Sequence, residues 1–183
     1  MGNGASKKAS KERTLQTQRK KKVVLLGIEG AGKTTLLQKI QYGEPQAIKP
    51  TIGFNLENVK TEKFDLMMFD IAGGARSMWS HYLEGADVII YVFDSSRKDS
   101  FELQKELLKI INKEINRENF LFMCALAKSD LKESMSNQEF LSVTKVYDYI
   151  DSDMLIQRVS AVSGEGINEL VIKMTDYLSK TSK

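Results

Sequence analysis

Short apolar runs alternate with amphipathic stretches from about residue 21 onward. Residues 21–26 end in the unbroken run VVLL and predict a buried strand, with a helix behind it over 33–40. FNLENVK (54–60) and KFDLMMFD (63–70) predict two strands joined by a tight turn near Thr61 and Glu62. ADVIIYVFD (86–94) is nearly continuous in β-branched and aromatic residues, as expected of a strand covered on both faces. FLFMCAL (120–126) and LIQRVSA (155–161) predict two more strands. Asp99 and Glu102 have the spacing of a capping box ahead of FELQKELLKIINKEI, with Leu103, Leu107, Ile110, Ile111 and Ile115 on one side. Ser136 with Glu139 is a second such box, opening a helix to about Val146. Ile167, Leu170, Val171, Met174 and Leu178 mark a closing helix. Strands alternating with helices predict an α/β fold with a central, mostly parallel six-stranded sheet and helices on both faces. The glycines cluster at strand ends, where such sheets bind ligands.

Residues 1–20 break from this pattern. Leu15 is their only large apolar side chain, too little to offset the entropy of ordering, so 1–20 reads as a tail and 21–183 as one domain. Charge sharpens the division. Residues 1–22 hold eight Lys or Arg against Glu12 alone, while the rest of the chain holds 19 bases against 23 acids. A mildly acidic globule thus carries a basic tail of the kind that contacts polyanions. No window reaches 18 apolar residues, and the polar start has no apolar segment of a secretory signal. The single cysteine, Cys124, lies within FLFMCAL; it has no partner for an intramolecular disulfide and reads as a small core residue.

The first strand leaves through GIEGAGKTT (27–35), which fits G-x-x-x-x-G-K-[ST] with a strand before it and a helix after it. Such a loop turns backbone N–H groups toward a phosphate, and the helix N-terminus adds partial positive charge. Glu29, Gly30, Ala31, Gly32, Lys33, Thr34 and Thr35 are the candidate nucleotide-binding residues here. Lys33 is placed to reach the β- and γ-phosphates and Thr34 to offer a hard oxygen to Mg²⁺. The loop alone does not name the reaction, because kinases, ATPases and GTPases share it.

Four later stretches narrow the choice: PTIGFN (50–55), FDIAGG (69–74), AKSD (127–130) and SAVSG (160–164). With WSHYL (79–83) they make residues 21–180 resemble a Ras-like small GTPase with the P-loop NTPase fold, specifically the ADP-ribosylation factor family. That resemblance implies GTP/GDP and Mg²⁺ as ligands. It implies that Thr51 completes the magnesium shell, that Asp70 holds magnesium through a water, and that the Gly73 N–H meets the γ-phosphate. It further implies that Asp130 reads the guanine N1 and exocyclic amine, that the Lys128 stem covers the base, and that the Ala161 N–H meets the guanine carbonyl. Phe54, Phe69 and Tyr82 match the aromatic cluster on which that family binds effectors, with Phe69 where Trp is usual. Exchange factors, activating proteins and effectors are the partners to expect.

Two departures bear on chemistry. The family has Gln directly after the D-x-x-G glycine; here Gly74 stands there, followed by Ala75, and no Gln occurs between Gln46 and Gln104. That Gln orients the attacking water, so weak intrinsic hydrolysis is expected and no catalytic residue is assigned. Arg76 offers charge nearby but reads as a solvated switch residue, and His81, the only histidine, as helix packing. The usual Asn-Lys-x-Asp is Ala127-Lys128-Ser129-Asp130, and loss of the Asn amide predicts affinity lower by about 1–3 kcal/mol with guanine preference retained through Asp130. Two readings follow: a slow GTPase switch, or a non-hydrolysing GTP-binding module that recruits partners.

MGNGAS fits the N-myristoylation pattern at Gly2. One acyl chain anchors only marginally, and the basic residues behind it supply the second signal at an anionic leaflet. The expectation is a cytoplasmic protein held peripherally at the cytoplasmic face of a membrane. Nucleic acid is not expected as a partner.

Overall fold

The structure is a computed structural model that describes residues 19–45, 50–115, 120–148 and 154–181. Among the described residues six strands form one sheet: β1 (Arg19–Leu26), β2 (Phe54–Lys60), β3 (Phe64–Ile71), β4 (Val88–Asp94), β5 (Leu121–Ala127) and β6 (Leu155–Arg158), in the order β2-β3-β1-β4-β5-β6. Only the β2–β3 pair is antiparallel; the other pairings are parallel. Every residue of β4 and β5 is buried, so both faces of the sheet centre are covered, as the near-continuous apolar runs require. The helices are α1 (Lys33–Tyr42), α2 (Trp79–Leu83), α3 (Phe101–Glu114), α4 (Asn137–Thr144) and α5 (Ile167–Thr181). Among the described residues no helix is long and apolar enough to cross a membrane. Cys124 is fully buried with its Sγ 3.6 Å from Met154 Sδ, and burial pushes its thiol pKa up.

The topology positions the site. β1 pairs with β3 on one side and β4 on the other, so the strand order reverses at β1 and a crevice opens beyond its carboxyl end. Register does the rest. Leu25 opposite Asp70 and Asn55 opposite Asp70 bring the ends of β1, β2 and β3 together. Asp94 opposite Ala127 does the same for β4 and β5.

Several expectations need correction at the level of elements. Strand β1 begins at Arg19, two residues into the segment expected as tail, because Arg19 and Lys20 pair with Phe64 and Asp65. The rest of the expected tail, Gly2 included, lies outside the described residues. Asp99 does not cap α3. A short 3₁₀ turn over Lys98–Ser100 precedes that helix; Ser100 is its N-cap, and the Ser100 hydroxyl donates to the Arg97 carbonyl at 2.7 Å instead. Leu103 and Ile110 are exposed on α3, while Gln104 and Leu108 are buried. Gln104 turns the helix this way by clamping the end of β4: its Oε1 accepts from the Asp94 N–H at 2.7 Å and its Nε2 donates to the Asp94 carbonyl at 3.1 Å. Strand β6 ends at Arg158, where the Ser160 N–H leaves the ladder for the Glu165 carbonyl. Helix α4 ends at Thr144, closed by Lys145 in a left-handed conformation. The Ser136–Glu139 capping box is present in both directions, and its hydrogen bonds from Ser136 hold the Glu139 carboxyl below the usual range.

Candidate functional site

The loop between β1 and α1 depends on glycine. Gly30 has φ 75° and Gly32 φ 98°, in the left-handed region, where a side chain would be strained. Lys33 opens α1 and is only 6% exposed. Its Nζ donates to the carbonyls of Gly27 (3.0 Å) and Ile28 (2.9 Å), which holds the ammonium across the loop. Burial lowers its pKa, and Asp70 and then Glu29 act in the opposite direction.

Three oxygens meet beside it. Thr34 Oγ1 lies 2.9 Å from Thr51 Oγ1, and both hydroxyls are within hydrogen-bonding distance of Asp70 Oδ2, at 2.5 and 3.2 Å. Two hydroxyl protons serve three crowded acceptors, and Asp70 Oδ1 is buried with no hydrogen-bond partner. Such an excess of hard lone pairs fits Mg²⁺. Among the described residues no group of three His, Cys, Asp or Glu side chains could hold a metal by itself. A magnesium ion here would therefore take its remaining ligands from phosphate and water, as magnesium usually does.

The cavity over this cluster has a volume of about 610 Å³ and is lined by the phosphate loop, by Pro50 through Gly53 and by Ala72 through Ala75. Gly73 is buried against the loop, and a Cβ there would collide with the Glu29 amide nitrogen and the Ile28 carbonyl carbon, so only glycine fits. At Gly74 a Cβ would meet nothing within 4 Å, leaving open space where the resemblance expects a Gln side chain. Arg76 is exposed on a 3₁₀ turn. The His81 ring packs edge-on against Tyr82 at 5.5 Å.

A second cavity, about 230 Å³, adjoins the first through Gly32 and Thr35 and is lined by Ala31, Ala127, Lys128, Asp130, Ala161 and Val162 among others. The Asp130 carboxylate is exposed and has no hydrogen-bond partner among the described residues. Lys128 has φ 64° and sends its Nζ to Asp94 Oδ2 at 2.7 Å. Of the predicted phosphate, magnesium and base residues, all but Asp70 line two contiguous cavities at the carboxyl edge of the sheet; Asp70 is fully buried against Thr34 and Thr51.

The family model described as "ADP-ribosylation factor family" matches residues 8–178. The chain belongs to the ADP-ribosylation factor family. Among curated proteins it is 31% identical to ADP-ribosylation factor-like protein 1 of Drosophila melanogaster, over 92% of this chain and 93% of that one. Among solved structures its fold matches the Arl6 (BBS3) small GTPase of Trypanosoma brucei, with a TM-score of 0.81, 23% identity, 88% of this chain and 99% of that chain. That protein was solved with the nucleotide analogue GppNp.

Seen as a small GTPase of the ADP-ribosylation factor family, the molecule also shows its aromatic cluster. Phe54, Phe69 and Tyr82 meet pairwise with centroids 5.2 to 6.3 Å apart. Phe54 is 44% exposed, whereas Tyr82 is 8% exposed and forms the floor of the patch. Lys22 Nζ stands 5.6 Å from the Phe69 ring. Three residues at the cleft were not singled out from the sequence. Asn55 Nδ2 reaches Thr51 Oγ1 (3.4 Å) and Asp70 Oδ2 (3.5 Å); its place in PTIGFN was the available signal. Asp94 and Arg97 carry no such signal, since an acidic strand end followed by a basic loop residue reads as solvated surface.

Proposed function

We propose that this member of the family is a guanine-nucleotide switch that works at a membrane surface and hydrolyses GTP slowly. The observation that carries the reading is the contrast at one cavity: Lys33, Thr34 and Thr51 line it, with Asp70 buried against the two threonines, while Gly74 presents no side chain where water must be oriented. Lys33 and the loop N–H groups would bind the β- and γ-phosphates, with Thr34, Thr51 and Asp70 around magnesium. When bound, magnesium supplies neutralisation of phosphate charge. Thr51 and Gly73 would tie their two loops to the γ-phosphate, so loss of that group would release both loops. Asp130 would select guanine.

Chromatography of the nucleotide released on denaturing the purified protein tests the ligand: GDP or GTP is expected, and ATP would overturn the reading. Single-turnover hydrolysis should be slower than the ~10⁻⁴ s⁻¹ of an unassisted Ras-type enzyme. Gly74→Gln should raise it about tenfold or more by positioning the water. A wild-type rate at or above the Ras scale would contradict slow hydrolysis. The second reading, a GTP-binding module without turnover, is favoured by Gly74 and Ala127, and would be upheld if a lysate supplying an activating protein also yields no phosphate release.

For membrane attachment, the support is the MGNGAS motif at Gly2 followed by the basic run. The acylated protein should sediment with anionic vesicles, lose binding in Gly2→Ala, and weaken as salt shortens the screening length. Binding unchanged by Gly2→Ala would refute lipid attachment at that residue.

A further inference from the structure

We infer that Arg97 is a positioning residue that ties the base side of the cleft to the phosphate loop and so sets how long the nucleotide stays bound; this rests on the guanine-nucleotide reading above. The need for such a tie is visible at the end of β5. Ala127 has only a methyl group, and among the described residues no side chain of residues 127–130 hydrogen-bonds to the phosphate loop. Lys128 is engaged elsewhere, at Asp94.

Residues 94–97 span the gap. Asp94 is fully buried, and its carboxylate is matched on both oxygens: Oδ1 accepts from the Ser96 N–H (3.2 Å) and hydroxyl (2.8 Å), and Oδ2 faces Lys128 Nζ (2.7 Å) and Arg97 Nε (3.8 Å). A buried carboxylate needs such partners, and they fix it in place. Ser95 donates through its N–H (3.2 Å) and its hydroxyl (2.5 Å) to the Ala127 carbonyl, and its own carbonyl accepts from the Met135 N–H at 2.9 Å. From this anchored segment Arg97 reaches out, and its Nη2 donates to the Glu29 carbonyl at 3.3 Å.

That acceptor gives the contact its consequence. The Glu29 carbonyl and the Gly30 N–H belong to one trans peptide unit, in which the two groups point in opposite directions. Holding the carbonyl on Arg97 fixes the direction of the Gly30 N–H. Gly30, at φ 75°, is free to let this peptide rotate once the bond is lost. The guanidinium Nη1 would be 3.8 Å from a Cβ on Gly30, so Arg97 lies along the loop's outer edge. It lines neither the 610 Å³ nor the 230 Å³ cavity. The geometry therefore gives it a role through the loop, with no contact to the reacting phosphate.

The test is the release of a fluorescent GDP from the full-length protein, chased with unlabelled GDP. Arg97→Ala should speed release about tenfold, the scale of one charge-assisted hydrogen bond, while leaving the preference for GDP over ADP unchanged. Arg97→Lys, which keeps one donor able to reach the carbonyl, should recover part of the lost lifetime. Ala127→Asn, which puts an amide beside Ala31 in the adjoining cavity, should shrink the effect of Arg97→Ala. Release within twofold of wild type in Arg97→Ala overturns the inference, as does a change in base preference of the same size. If Arg97→Ala does not fold, Arg97→Met keeps the length of the side chain without any donor and should speed release to the same extent. A wild-type protein that holds no guanine nucleotide would instead defeat the reading on which the inference rests.

Discussion

The two halves of the cleft are built differently. On the phosphate side the protein bonds to itself: Lys33 to two loop carbonyls, Thr34 and Thr51 to Asp70, Asn55 to both Thr51 and Asp70. On the base side there is a smaller, mostly apolar hollow, one exposed carboxylate at Asp130, and a methyl at Ala127. A half assembled in advance would lose little freedom on binding, which on the proposed reading would place most of the affinity with the phosphates. Selectivity rests on few groups. The family pattern lapses once in each half: at Gly74 beside the phosphate cavity and at Ala127 beside the base hollow, while the loop and its threonines are intact.

Substitutions can break or sharpen this contrast. The largest effect is expected from Lys33→Ala, which removes a buried, bonded ammonium from the phosphate side; affinity for GDP and GTP should drop about a hundredfold or more in calorimetry. A loss under tenfold would mean that the phosphates are not held there. Next is Asp130→Ala, expected to cost about tenfold to a hundredfold and to erase the preference for GDP over ADP. Ala127→Asn fills in the sparse side, and about tenfold tighter GDP is expected; unchanged affinity would show that the base side is already complete.

The contrast also has a pH signature. Lys33 has a lowered pKa in the free protein because of burial, so it contributes stability that is present above the ordinary value of 10.5 and lost as pH falls through the lowered value. Phosphate binding needs the ammonium, so affinity should move the other way and weaken as pH rises through that window. Proton uptake on GDP binding at a pH within that window, measured by calorimetry in buffers of different ionisation enthalpy, checks the sign; proton release there would contradict it. The smallest effect is a control far from both halves: Ser136→Ala should cost about 1 kcal/mol in denaturant unfolding by removing the α4 cap, without changing GDP release.

Much of this was legible in the sequence, for identifiable reasons. Continuous apolar runs gave the strands of the sheet centre, because burial on both faces leaves no alternation to misread, and the glycine exit of β1 gave the loop. The Ser136–Glu139 box was legible because its signal is local and its helix starts at once. The similar Asp99–Glu102 spacing misled, since a 3₁₀ turn intervened and Ser100 took the N-cap. Gln104 reads as a solvated helix residue, yet it is fully buried because its amide matches both backbone groups of Asp94. Arg97 is the same lesson at the site: what makes it matter is a carbonyl 68 residues away in the chain. Side chains that work by bonding distant backbone leave no periodicity and no motif.

Cys124 has a practical consequence. The chain's only thiol is sealed in the sheet, protonated and out of reach of labelling reagents. Introducing one cysteine on the surface, at Ile52 beside the cleft or at Val162 by the base hollow, would give a protein that takes up a single reporter dye at a known place, so the two halves can be watched separately in real time with the native cysteine left untouched.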